Sequence, residues 1–167
     1  AQDALGREWQ VATIQLDMNM PERFDLTCVN EEGAHERIVM IHAAIMGSIE
    51  RFLSILIEHT AGHFPLWLAP EQIRILPIGE RHQEYAAAVA RDLTQAGLRV
   101  SVDASSESLG KRIRNAKVGK LPYLVVVGDK EMEEGMLSVE SRTQGQIGAL
   151  TSASFVDTLL QEISEKR

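Results

Sequence analysis

Ala44, Gly47, Ser48 and Arg51 recur at the three- and four-residue steps that bring side chains onto one face of a helix. That spacing predicts a buried helix from His42 through Phe52, with a side almost free of bulk and closed by one guanidinium. Ile45, Ile49, Phe52 and Leu56 fall on another side as an apolar stripe. A face without side chains lets a flat ligand lie against the backbone while Arg51 pairs with a phosphate or carboxylate. The same spacing suits close packing of two elements, with Arg51 in an ordinary ion pair, and spacing alone does not separate these readings.

Other residues with chemical capacity lie on either side. Gln10–Asp17 alternates polar and apolar residues at period two, which predicts a strand with Val11, Thr13, Gln15 and Asp17 on one side. Such a row either contacts a small polar ligand or faces solvent. His42 follows the continuously apolar Ile38-Val39-Met40-Ile41, expected as a central strand buried on both faces. A lone histidine there is a cap, a core residue or a metal ligand. Further on, Lys111, Arg112, Arg114, Lys117 and Lys120 place five cations within ten residues, either a phosphate-contacting surface or a solvated helix face.

The elements that must position these groups divide the chain. Pro21 to Arg23 breaks the first strand, and Phe24–Val29 with Arg37–Ile41 is expected as a hairpin around Asn30-Glu31-Glu32-Gly33. Phe64 to Pro70, with prolines at both ends, is an extended connector, and a domain boundary is expected at 70/71. Beyond it, strands and helices alternate: Ile73–Ile78, Arg81–Gln95, Leu98–Val102, Ser106–Val118, Leu121–Val127, Met136–Val139 and Ser152–Ile163. This order predicts an α/β unit with a mostly parallel sheet and helices on both faces. Its strand ends, at Asp103–Glu107 and Gly128–Glu131, are where open α/β sheets bind ligands, with Ser106 and Glu131 able to hydrogen-bond base edges.

Composition narrows the class. The 167 residues suffice for one ordinary domain or two small ones, and 44% are hydrophobic without any apolar run long enough to span a bilayer. Cys28 is the single cysteine, so no internal disulfide and no cysteine-cluster metal site can form, and a cytoplasmic setting is expected. The net charge of −7 argues against a generic nucleic-acid binder. Residues 1–70 hold 4 Lys/Arg against 10 Asp/Glu, whereas residues 71–167 hold 13 against 14, so a local basic patch has room only in the second part.

The stretch from His42 to Arg51, ending in Glu50-Arg51 and followed by Phe52-Leu53-Ser54-Ile55-Leu56-Ile57-Glu58-His59, resembles motif 3 of class II aminoacyl-tRNA synthetases. With Gly6-Arg7-Glu8-Trp9-Gln10, Thr13-Ile14-Gln15-Leu16-Asp17 and Phe64-Pro65-Leu66-Trp67-Leu68-Ala69-Pro70, the wording is similar to the threonyl-tRNA synthetases, of which it covers the last part. The resemblance implies that residues 1–70 end an antiparallel-sheet catalytic domain and residues 71–167 form a small α/β anticodon-binding domain. It implies ATP with Mg²⁺, threonine and tRNA(Thr) as reactants, Arg51 and Gln10 as catalytic and ATP-contacting groups, and Thr13, Gln15 and Ser48 as threonine contacts. It makes His42 one ligand of a Zn²⁺ ion whose others lie upstream, and assigns RNA contacts to Glu131 and Ser106, with Lys111, Arg112, Arg114 and Arg142 as further candidates. A homodimer is implied for the full-length enzyme. Ala43 stands where the family usually has arginine, Val11 for cysteine, Ser106 for asparagine and Glu140 for arginine; Arg142 is a candidate substitute for the last. These departures leave an alternative, a free-standing tRNA-binding paralogue or accessory subunit with a degenerate catalytic remnant.

Overall fold

In a computed structural model describing residues 1–166, the chain separates into two units, Ala1–Ala61 and Gly62 onward. In the first, β1 (Ala12–Asp17) pairs antiparallel with β4 (Met40–Ile45), in the register Thr13↔Ala44, Gln15↔His42 and Asp17↔Met40. Opposed residues share a sheet face, so Thr13, Gln15, Asp17, His42 and Ala44 line one side. Ile14, Leu16, Ile41 and Ile45 line the other, where Ile14 is 77% exposed. A short helix, α1 (Asn19–Arg23), breaks the chain after β1, and β2 (Thr27–Val29) pairs with β3 (His35–Arg37) in a hairpin around the expected turn. Its second arm ends at Arg37 where Arg37–Ile41 was expected, since Met40 and Ile41 belong to β4.

Two expectations for this region are corrected. His42 to Ile45 is strand, not helix; Met46 turns the chain at φ 54°, and α2 spans Ile49–Thr60. β4 is not buried on both faces, since all but its first residue are exposed and β1 is its one strand neighbour among the described residues, and α2 has no buried residue. Of the apolar run at 38–41, only Met40 and Ile41 enter a strand.

The second unit holds a five-stranded sheet of order β6-β5-β7-β8-β9, formed by β5 (Ile73–Pro77), β6 (Val100–Val102), β7 (Tyr123–Val127), β8 (Leu137–Ser141) and β9 (Gly145–Leu150). β6, β5 and β7 are the expected parallel core; β8 and β9 run antiparallel and make the sheet mixed. Helices α3 (Gln83–Gln95) and α6 (Ser152–Ser164) bury Val89, Leu93, Phe155 and Leu159 against Ile73, Ile75, Val125 and Val139. On the other face α4 (Leu109–Val118) packs Ala116 and Ile113 against Leu121 and Leu124. Alternate residues of β7 serve the two layers, as its unbroken apolar run requires. A fifth helix in chain order, α5 (Asp129–Glu134), occupies the stretch expected as a loop after β7.

The stretch 62–71, expected as an extended connector ahead of a boundary at 70/71, packs within this second unit. Leu66 is 1% exposed, Gln72 donates to its carbonyl at 2.9 Å, and Arg99 reaches the carbonyls of Ala69 and Trp67 at 2.8 and 2.9 Å. Prolines and aromatics that look like a linker are thus a packed strap.

Candidate functional site

The first unit contains a cleft of about 370 Å³ lined by Gln10, Thr13, Ala44, Gly47, Ser48 and Arg51 among others. The small residues do share a surface, but a strand, a turn and a helix assemble it. Ala44 comes from β4, Gly47 and Ser48 from the turn, and Arg51 from the first turn of α2. Gly47 N donates to Val11 O at 3.1 Å, which pins the turn beside β1. Arg51 Nη1 donates to Gln10 O at 3.1 Å, and its guanidinium lies 5.7 Å from the centre of the Trp9 ring. Gln10 Nε2 donates to Thr13 Oγ1 at 2.6 Å.

Gln15 and His42 are outside this cleft's lining but continue the same sheet face. His42 Nε2 lies 2.9 Å from Asp17 Oδ2. Asp17 accepts from Met20 N and Asn19 N as well, and these bonds, Met20's foremost, followed by that of His42, hold its carboxyl below the usual carboxylate value. Among the described residues no three His, Cys, Asp or Glu side chains gather as a metal site.

The second unit has a cleft of about 330 Å³ at the carboxyl end of its parallel strands, where Pro77, Ile78, Gly79, Ser106, Glu107 and Arg112 contribute walls. Ser106 is exposed there, in the loop ahead of α4, whose N-cap is Ser108. Glu131 sits in the first turn of α5, with Oε2 accepting from Gly128 N at 2.9 Å. The five-cation cluster does not act as one stripe. Lys111, Arg114, Lys117 and Lys120 are exposed, Lys111 pairs with Glu107 at 2.6 Å, and Lys117 with Glu140 at 2.6 Å. Arg112 is 4% exposed and donates Nη1 to Asp103 O at 2.8 Å, so it is a cleft wall and not a surface cation. Arg142 is also committed, donating to the carbonyls of Phe64 and Lys120.

A family model described as the class II tRNA synthetase core domain (G, H, P, S and T) matches residues 1–60, and one described as the anticodon binding domain matches residues 72–162. The chain belongs to the class II tRNA synthetases. Among curated relatives, the threonine–tRNA ligase of Syntrophomonas wolfei is 54% identical over 99% of this chain and 26% of its own length. That of Thermus thermophilus is 51% identical over 99% of this chain and 25% of its own. A crystal structure of the RNA binding domain of threonyl-tRNA synthetase from Cryptosporidium parvum superposes with a TM-score of 0.85 at 37% identity, over 96% of this chain and 41% of that one. The chain thus spans about a quarter of the length of these curated relatives.

Within this chain, three residues at the edges of the two clefts escape a reading by residue type and spacing. Trp9 supports Arg51, and its indole donates to Asp3 Oδ2 at 2.8 Å. His82 and Asp129, 47 positions apart, bond at 2.9 Å near the second cleft. A histidine beside Gly79 and an acid after Gly128 carry no local signal that they meet; only the parallel pairing of β5 with β7 brings their strand ends together.

Proposed function

We propose that this chain is the motif 3 and anticodon-binding part of an enzyme that activates threonine with ATP and transfers it to tRNA(Thr). The observation that carries this reading is the first cleft, where Gln10, Thr13, Ser48 and Arg51 converge around the unencumbered Gly47. Arg51 is fixed by a carbonyl on one side and an aromatic face on the other, so its charge is preorganised for phosphate oxygens. The threonine carboxylate attacks the α-phosphorus of Mg²⁺-bound ATP, pyrophosphate leaves, and Arg51 stabilises the charge spread over the phosphoryl oxygens. A hydroxyl of the terminal tRNA adenosine then attacks the acyl carbonyl and AMP leaves. Gln10 contacts ATP, while Thr13, Gln15 and Ser48 contact threonine.

The same reading includes a zinc ion, with His42 as the ligand this chain would contribute. One imidazole does not hold zinc, and the residues described here do not fit the ion by themselves. In the second unit, Ser106 and Glu131 contact anticodon bases, with Lys111 and Arg114 toward phosphates. The paralogue alternative gains no support, because a degenerate remnant has no reason to keep the cleft's polar groups converged.

The test is threonine-dependent ATP–pyrophosphate exchange by a full-length synthetase carrying this segment. Exchange with threonine and its absence with the 167-residue chain alone are expected. Exchange driven by another amino acid in preference to threonine would overturn the assignment.

A further inference from the structure

His82 is a buried histidine that the proposed reaction does not use. It is 2% exposed, in the short 3-10 turn Glu80–His82 that follows β5, and both ring nitrogens are engaged. Gly79 N donates to Nδ1 at 3.0 Å, so Nδ1 carries no proton and Nε2 must be the protonated nitrogen. Nε2 then donates to Asp129 Oδ1 at 2.9 Å, and Arg81 holds the other oxygen of that carboxylate. Asp129 is the first residue of α5, one position after the glycine whose N–H fixes Glu131 Oε2.

The same two loops are seated on each other by a second contact. Ile78 N donates to Val127 O at 2.9 Å, and a Cβ on Gly128 would come within 2.5 Å of Ile78 Cδ1. Gly128 has an ordinary negative φ of −132°, and the atom its Cβ would meet is the end of the half-exposed Ile78 side chain, so the backbone bond from Ile78 N is what seats the two loops. Ile78 lines the second cleft with Ser106; Glu131 is not part of that lining, its Oε2 is held by Gly128 N, and its Oε1 has no hydrogen-bond partner among the described residues. A carboxylate with one oxygen fixed by a backbone N–H suits the amino or imino edge of an unstacked base.

Resting on the anticodon-binding reading, we propose that His82 and Asp129 are positioning residues, a clamp that fixes the distance between Ile78 and Glu131 and so sets base preference. Phosphate contacts position an RNA without reading it, whereas base-edge contacts discriminate. Releasing the clamp therefore costs selectivity and leaves non-specific affinity in place. A merely structural role would lower binding of all RNAs together.

The experiment measures binding of the 167-residue chain to the anticodon stem-loop of a threonine isoacceptor and to the same stem-loop with each anticodon base changed in turn. The unaltered chain prefers the unchanged loop. His82→Phe lowers that preference about tenfold at one base position, the size of one lost base contact, with affinity for the altered loops unchanged. His82→Gln, whose amide can accept from Gly79 and donate to Asp129, retains the preference. Asp129→Ala, at a half-exposed side chain, behaves like His82→Phe and keeps the test decisive if the latter fails to fold. Imidazole ¹⁵N spectra show the neutral Nε2-protonated tautomer for His82. Undiminished selectivity in Asp129→Ala, uniform loss for every loop, or no rescue by glutamine overturns the clamp alone. An unaltered chain without any preference overturns the anticodon reading and the clamp with it.

Discussion

Arg51 is held between the carbonyl of Gln10 and the face of Trp9, and this support is what separates it from an ordinary surface arginine. In a full-length synthetase, Arg51→Ala is expected to slow threonine activation by about 10²–10³-fold, as for loss of one preorganised donor. Arg51→Lys recovers little, because an ammonium neither stacks on the ring nor spans two phosphate oxygens. Trp9 is itself held by Asp3, whose carboxyl is drawn down to about 2, first by the indole N–H and further by bonds from Arg7 and Leu5. A carboxyl lower in the folded state than its ordinary 3.8 contributes stability above that value, and the contribution is lost as pH falls through about 2. Trp9 fluorescence in a pH titration should therefore change with a midpoint near 2. A midpoint at the ordinary carboxylate value would contradict the network.

At the scale of elements, α4 shows that one cluster of cations holds two kinds of residue. Lys111 and Arg114 are exposed, whereas Arg112 is buried and ties α4 to Asp103 O. Replacing Lys111 and Arg114 with alanine should reduce the salt slope of tRNA binding by about 2 if both touch phosphate, with the melting temperature unchanged. Arg112→Ala should instead destabilise the fold by about 1–3 kcal/mol by removing a buried partner. Differential calorimetry beside a salt titration separates the two.

The regular alternation of the second unit is legible in the sequence because each strand and helix satisfies its own period. The strand–turn–helix around His42 is not. Ala44, Gly47, Ser48 and Arg51 fit helical spacing by coincidence, while the pairing of Gln15 with His42 is non-local and leaves no mark in a short window of sequence. β9 escapes for a different reason, since Gly145 and Gly148 interrupt an otherwise weak alternation and its pairing comes from β8. The cleft residues Gln10, Thr13, Ser48 and Arg51 are nevertheless legible, because residue type and family wording point to them even where the element around them reads wrongly.

Across the whole chain, packing is unevenly shared. Both apolar clusters of buried residues lie in the second unit, whereas in the first only Pro21 is fully buried. Apolar residues such as Ile14 and Ile45 stand exposed in the first unit, and the chain covers only about a quarter of its curated relatives. The second unit is therefore the part whose function the 167-residue chain can display alone. The most direct measurement is binding of this chain to a threonine-accepting tRNA and to a tRNA for another amino acid, each across a salt series. The account predicts that both bindings weaken with salt while a preference for the threonine tRNA persists. Equal affinity for the two tRNAs at every salt concentration would contradict it.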